Sequence, residues 1–220
     1  SFVPLYTLTV VYALASAFNL RREIKFRAPD TLRFALLALL VGAVGYLHYS
    51  LLVLGPISAL FFAHLLFTRQ PISRRMWSTF IFLVVLATVL AMPFMISTLR
   101  EPEFSEPYLW WSAHPGSISE LVDGALHAVG GVIWQGDLDP SRNVPEVPLL
   151  GLVMSILLIV GVGTSARRWR EPGYALVLML LAAGLLTDTW IHSETTFSAN
   201  LVALPALMIL PGIGAAAIVQ

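Results

Sequence analysis

The 220-residue sequence predicts an all-α fold, a polytopic transmembrane bundle of about seven spans with a long extracytoplasmic loop that contains an interfacial helix. Three observations predict it. Hydrophobic residues make up 57% of the chain and charged residues 12%, whereas a soluble domain is about a quarter charged. The polar residues are gathered into short islands between long apolar runs, so they cannot cover the surface of a water-soluble core. Eleven of the 13 basic residues fall on alternate islands, as the sorting of lysine and arginine across a bilayer predicts.

A helix needs about 20 mainly apolar residues to cross the hydrocarbon core. The first candidate, 2–20, ends against the arginines of "NLRRE", which is the reverse of a signal peptide and reads as a span. The region 32–67 is too long for one crossing and is divided at "GYLHYS" into spans 32–47 and 49–67. Spans 77–96, 148–163, 174–190 and 201–219 follow, and the whole is expected to form a single membrane domain over 1–220. Pro56, Pro93, Pro205 and Pro211 lie in or near spans, where neighbouring helices tolerate kinks. No internal repeat is visible.

Charge gives the orientation. The islands "NLRREIKFRAPDTLR", "TRQPISRR" and "SARRWREP" carry 11 of the 13 basic residues, and seven spans place all three on the cytoplasmic face. The opposite face holds Arg100 and Arg142 with most of the acids. This layout puts Ser1 outside the cytoplasm, a start that an odd number of spans upstream would explain; a fragment and a processed chain both stay open. Zero net charge gives no footprint for nucleic acid. The absence of cysteine removes disulfides, thiolate metal sites and cysteine nucleophiles.

The loop 97–147 is roughly 50 residues long, against a usual connection of about 4 to 6. Tyr108, Trp110 and Trp111 suit the headgroup layer. Ser117 and Glu120 have capping-box spacing, and Ile118, Leu121, Val122, Ala125, Leu126 and Val129 recur at helical intervals, predicting an amphipathic helix in the interface that breaks at Gly130 and Gly131. "QGDLDPSRNVPEVP" is turn chemistry, and Pro148 suits the first turn of the next helix.

Candidate site residues cluster in this loop. Glu101 with Glu103, and Asp137 with Asp139, are carboxylate pairs two residues apart, a pattern that can hold a divalent metal or supply a general base and that equally serves as structural turn acids. Arg142 can meet a phosphate or a neighbouring acid. His48 and His64 lie in or beside spans, where an ionisable group is a functional suspect; cofactor ligation and a plain hydrogen bond to a neighbouring helix are both open. His114, His127 and His192 have no zinc-ligand spacing, so no metal site is assigned. No phosphate loop or nucleophile motif is present, and the catalytic residues are unknown at this point.

Three stretches carry a family resemblance: "LRFALLALLVGAVGYLHYSLLVLGPISAL", "GDLDPSRNVPEVPLLGLV" and "IHSETTFSANLVALPALMILPGIGAA". With them the chain resembles the carboxyl-terminal membrane part of bacterial GT-C glycosyltransferases, in the dolichyl-phosphate-mannose-protein mannosyltransferase-like group. It departs from that pattern in having no basic residue after Arg170, and in showing no large loop before Phe2, where the family's catalytic aspartate is expected. The resemblance implies sugar transfer from a polyprenyl-phosphate donor to an extracytoplasmic acceptor. A carboxylate upstream of this chain would be the base, and a basic side chain, with or without a divalent metal, would hold the phosphate. Glu101, Glu103, Asp137, Asp139 and Arg142 would then support the lipid and acceptor grooves. The competing expectation is a non-enzymatic scaffold or accessory subunit packed on other membrane subunits. A transporter ranks third, because charges inside the spans are nearly absent.

Overall fold

The computed structural model describes residues 3–17, 36, 38–43, 53–68, 74–100, 118–134, 147–191 and 202–219, and among them every regular element is helical, with no strand. The chain separates into two compact units, Ser1–Tyr108 and Leu109–Gln220.

The first unit contains α1 (Val3–Ala17), α2 (Leu54–Phe67) and α3 (Arg74–Arg100), with a helical stretch at 38–42. Val3, Thr7, Val10 and Val11 form the buried stripe of α1 at helical spacing. The Tyr6 hydroxyl donates to the Leu40 carbonyl and ties α1 to the 38–42 stretch. That stretch in turn lies close on α3, since a Cβ at Gly42 would come within 2.8 Å of the Leu90 Cβ and 3.0 Å of the Ala87 carbonyl oxygen. Helix α2 buries a broad face, with Leu54, Ile57, Phe61 and Leu65 almost wholly enclosed. Its Phe62 stacks on Phe80, with ring centroids 3.6 Å apart, and meets Trp77 edge-on at 5.0 Å, fixing α2 to the beginning of α3.

Hydroxyls in these helices bond within their own turn. Thr7 donates to Val3 O (2.9 Å), Thr9 to Leu5 O (2.8 Å), Ser58 to Leu54 O (2.7 Å) and Thr88 to Val84 O (2.8 Å). For the buried Thr7 and Ser58 an unpaired hydroxyl would be costly, and the carbonyl four residues back satisfies it without a second helix.

The second unit contains α4 (Ile118–Ile133), α5 (Leu152–Arg167), α6 (Pro172–Ile191) and α7 (Leu204–Val219). Its centre is the pairing of α5 with α7. A Cβ at Gly161 would lie 2.7 Å from the Leu210 carbonyl carbon, nearer still to its oxygen, and 3.2 Å from Gly214 N. A Cβ at Gly214 would fall reciprocally on Leu157 O, 2.9 Å from Gly161 N. Each glycine therefore rests on the turn that precedes the other, and the two backbones touch. Helix α6 buries Ala175, Leu176, Val177 and Leu180, and its Gly184 accommodates Ala203 at the entry to α7. Helix α4 packs chiefly on α6.

Several sequence expectations are corrected here. Span 77–96 becomes a helix of 27 residues, about 40 Å long at 1.5 Å per residue. The break at Gly130 and Gly131 does not occur: α4 continues to Ile133, and Trp134 N–H donates to Gly130 O at 2.7 Å. Gly131 is buried, and packing offsets the helix penalty of about 1 kcal/mol for a glycine. Pro148 does not open the next helix. Leu149 and Leu150 N–H instead donate to Gly131 and Val132 carbonyls, at 3.4 and 3.0 Å, so α5 begins only after Gly151. Pro172 takes the first-turn position at α6, where no donor is needed.

Of the described helices, one is long and apolar enough to cross a membrane, through the window Phe80–Ser97 in α3, and 6% of that window is buried. The other apolar helical stretches have between 10 and 17 residues, among them Leu54–Phe67, Leu152–Arg167 and Leu204–Val219.

Candidate functional site

Glu101, Glu103, Asp137, Asp139 and Arg142 all lie outside the described residues, as do His48, His114 and His192. What the structure supplies is the frame around them.

On the second unit, the segment carrying Asp137, Asp139 and Arg142 leaves from the end of α4 and returns to it. Trp134 closes α4, and Leu150 N–H bonds Val132 O just before α5 begins. Leu150 also accepts from Ser155 Oγ at 3.3 Å, so one leucine backbone is tied to α4 by its donor and to α5 by its acceptor. After the acidic segment the chain is thus clamped by main-chain bonds to the buried residues Gly131 and Val132.

Helix α4 has three faces rather than two. Ala128, Gly131 and Val132 are buried. Val122, Leu126 and Val129 form an exposed apolar stripe, Leu126 being 64% exposed, and Trp134 beyond the helix end is 83% exposed. Ser119, Asp123 and His127 form an exposed polar stripe, and His127 Nδ1 donates to the Asp123 carbonyl at 2.8 Å. A helix seated on protein with an apolar flank and a polar flank suits the boundary between hydrocarbon and water.

On the first unit, one face of the far half of α3 borders an open, mainly apolar concavity, or groove, of about 500 Å³ lined by Val89, Met92, Pro93, Ile96, Ser97 and Arg100. Pro93 has no N–H, so the Val89 carbonyl loses its helical donor at the groove wall. Hydrocarbon walls leading to one guanidinium can receive a chain that ends in an anion. The spacing 89, 93, 96, 100 marks one helical face and is present in the sequence, but there Pro93 reads only as a kink position and this face is not singled out.

His64 is buried on α2, and its backbone carbonyl accepts from both the N–H and the hydroxyl of Thr68. Among the described residues no group of three His, Asp or Glu side chains is placed to hold a metal ion. Ser165 Oγ on α5 is buried with no hydrogen-bond partner among the described residues, and nothing in the sequence separates it from the serines that are paired.

Comparison with family models, with curated proteins and with solved structures gave no match.

Proposed function

We propose that this chain is the membrane part of a GT-C-type glycosyltransferase, a bundle of seven spans that moves a sugar from a polyprenyl-phosphate donor to an extracytoplasmic acceptor, with the loop 97–147 outside. The membrane assignment is supported by α3. Only 6% of its 18-residue window Phe80–Ser97 is buried, and Ile81, Phe82, Val85, Val89, Met92 and Met95 are exposed. In water, so much apolar surface on one helix would drive aggregation, whereas in lipid it costs nothing. Arg74 and Arg75 in the first turn of α3 oppose the helix dipole. Retention of basic residues on the cytoplasmic side supplies the reason for their position.

The observation that carries the donor assignment is the groove on α3. Its apolar wall fits an isoprenoid chain and Arg100 fits the phosphate. Glu101 and Glu103 follow Arg100 directly in sequence, and the resemblance assigns them, with Asp137, Asp139 and Arg142, to support of the donor and acceptor grooves.

The test is binding of a polyprenyl monophosphate to the purified protein in nanodiscs, together with sugar transfer from a polyprenyl-phosphate sugar by membranes containing it. Arg100→Gln is expected to weaken phosphate-dependent retention at least tenfold, because a charged hydrogen bond is worth about 1.5 to 3 kcal/mol. Equal retention by parent and variant would remove the donor assignment. Absence of binding, with stoichiometric co-purification of another membrane subunit, would favour the accessory-subunit reading; the exposed apolar residues Leu152, Val153, Ile156 and Ile159 of α5 are a surface such a subunit could cover. Orientation is tested separately. Since the chain has no cysteine, Ser112→Cys should react with a membrane-impermeant maleimide from outside intact cells, and Ser73→Cys only after permeabilisation. The opposite pattern would invert the layout.

A further inference from the structure

We propose that the turn between α5 and α6 is a docking site for the headgroup of an anionic phospholipid in the cytoplasmic leaflet. This rests on the orientation given above, not on the glycosyltransferase reading.

The turn is tightly built. Arg168 N–H donates to Thr164 O (3.1 Å) and Ser165 O (3.2 Å) and ends α5; Glu171 N–H donates to Arg168 O (2.9 Å), and Ala175 N–H to Glu171 O (3.1 Å) starts α6. The Arg168 guanidinium is committed inside this turn. Its Nε and Nη2 donate to the two Glu171 carboxylate oxygens at 2.7 and 3.0 Å, its Nη1 donates to the Tyr174 hydroxyl at 2.7 Å, and its Cζ lies 4.5 Å from the Tyr174 ring centre. Hydrogen bonding to Glu171 raises its pKa further, so it stays cationic.

Glu171 is the only acid in the island "SARRWREP", and Arg168 has taken both of its oxygens. Arg167 and Arg170 are exposed and have no carboxylate partner among the described residues. Arg167 occupies the last turn of α5, where the helix dipole offsets about half a charge. More than one positive charge therefore remains at the turn. Trp169 stands between these arginines, 40% exposed, with the Arg170 guanidinium 6.0 Å from its ring. A tryptophan and arginines at the ends of two apolar helices sit at headgroup depth, where anionic lipid is the most concentrated source of negative charge. Charge, depth and an amphipathic ring together select a lipid phosphate over a soluble anion.

The experiment counts lipid retained by the whole protein in native mass spectrometry, with phosphatidylglycerol and phosphatidylcholine of matched chains as probes. The parent is expected to retain phosphatidylglycerol preferentially. Arg167→Gln with Arg170→Gln should retain one phosphatidylglycerol fewer, with that binding step weakened about fivefold per arginine and phosphatidylcholine retention unchanged. The paired lysine variant, which keeps the charge, should restore most of it. Both side chains are exposed, so thermal unfolding of the variants should match the parent. Unchanged retention in the glutamine variant, or displacement of the lipid by millimolar inorganic phosphate, would overturn the proposal. A protein that resists carbonate extraction but shows no phosphatidylglycerol preference refutes this site alone, whereas extraction by carbonate removes the membrane assignment beneath it.

Discussion

Replacing Gly161 with alanine should loosen the second unit far more than the same change two residues away. The added methyl would stand 2.7 Å from the Leu210 carbonyl carbon and 3.2 Å from Gly214 N, whereas ordinary contact needs about 3.5 to 4.0 Å. Both obstacles are backbone, which cannot rotate aside as a side chain can. Relief requires α5 and α7 to separate by about 1 Å, and a gap of that size forfeits a quarter to a half of each dispersion contact along the seam. Overpacking costs about 1 to 3 kcal/mol. The upper part of that range applies here, because both obstacles are main-chain atoms and no side chain can rotate away to make room. Gly214→Ala should cost a similar amount, since its methyl would fall on Leu157 O.

The double variant distinguishes this reasoning from a general intolerance of glycine replacement. One separation of the helices relieves both clashes, so the two costs should fall short of adding. Gly163→Ala and Gly212→Ala are the controls. No atom lies within 4 Å of either added methyl, and alanine is favoured over glycine in a helix by up to about 1 kcal/mol. Unfolding would be followed in mixed micelles by circular dichroism against the mole fraction of sodium dodecyl sulfate. Gly161→Ala unfolding no earlier than Gly163→Ala would refute the backbone contact, and full additivity of Gly161→Ala with Gly214→Ala would refute the shared seam.

Further outcomes follow from individual contacts. Gly184→Ala should destabilise by about 1 to 3 kcal/mol in the same titration, because its methyl would meet the Ala203 Cβ at 2.5 Å and Ala203 N at 2.6 Å. Tyr6→Phe should cost about 1 kcal/mol through loss of the bond to the Leu40 carbonyl, and the loss should show as faster amide exchange in α1 with α5 to α7 unaffected. Glu171→Gln should shift the melting temperature less than either glycine replacement, because the Arg168 pair is solvent-exposed at 47% and 44% and salt screens it. Leu126→Ser should leave unfolding unchanged, since the side chain is mostly exposed, yet a spin label at Trp134→Cys should then report shallower immersion in the bilayer.

Much of the architecture was readable in the chain because apolar runs and charge islands act locally. Six of the seven expected spans have a named helix overlapping them, and the 32–47 span is helical at Leu36 and over 38–42. The amphipathic helix Ile118–Ile133 was also readable from its period, but its end was not. Gly130 and Gly131 carry the same intrinsic helix penalty in any sequence, and only burial of Gly131 and the bonds from Leu149 and Leu150 decide that the helix runs on. The same bonds draw Pro148 away from α5. The candidate acids were chosen by pairing in sequence, and what the structure adds is the clamp at Val132 and Leu150 rather than the acids themselves.

The sequence by itself determined that this protein is built of apolar helices with its basic residues gathered into a few short islands, since burial preference and charge depend on residue type and need no partner. Tertiary structure alone decided which glycines matter. Gly161, Gly163, Gly212 and Gly214 are equivalent as letters, yet two of them meet a neighbouring backbone and two face open space. It also decided which arginine of "ARRWRE" is held by Glu171 and which two have no carboxylate partner among the described residues. The reason is physical: propensity and polarity are properties of one residue, while a steric fit or a two-pronged ion pair is a property of where two chain segments meet.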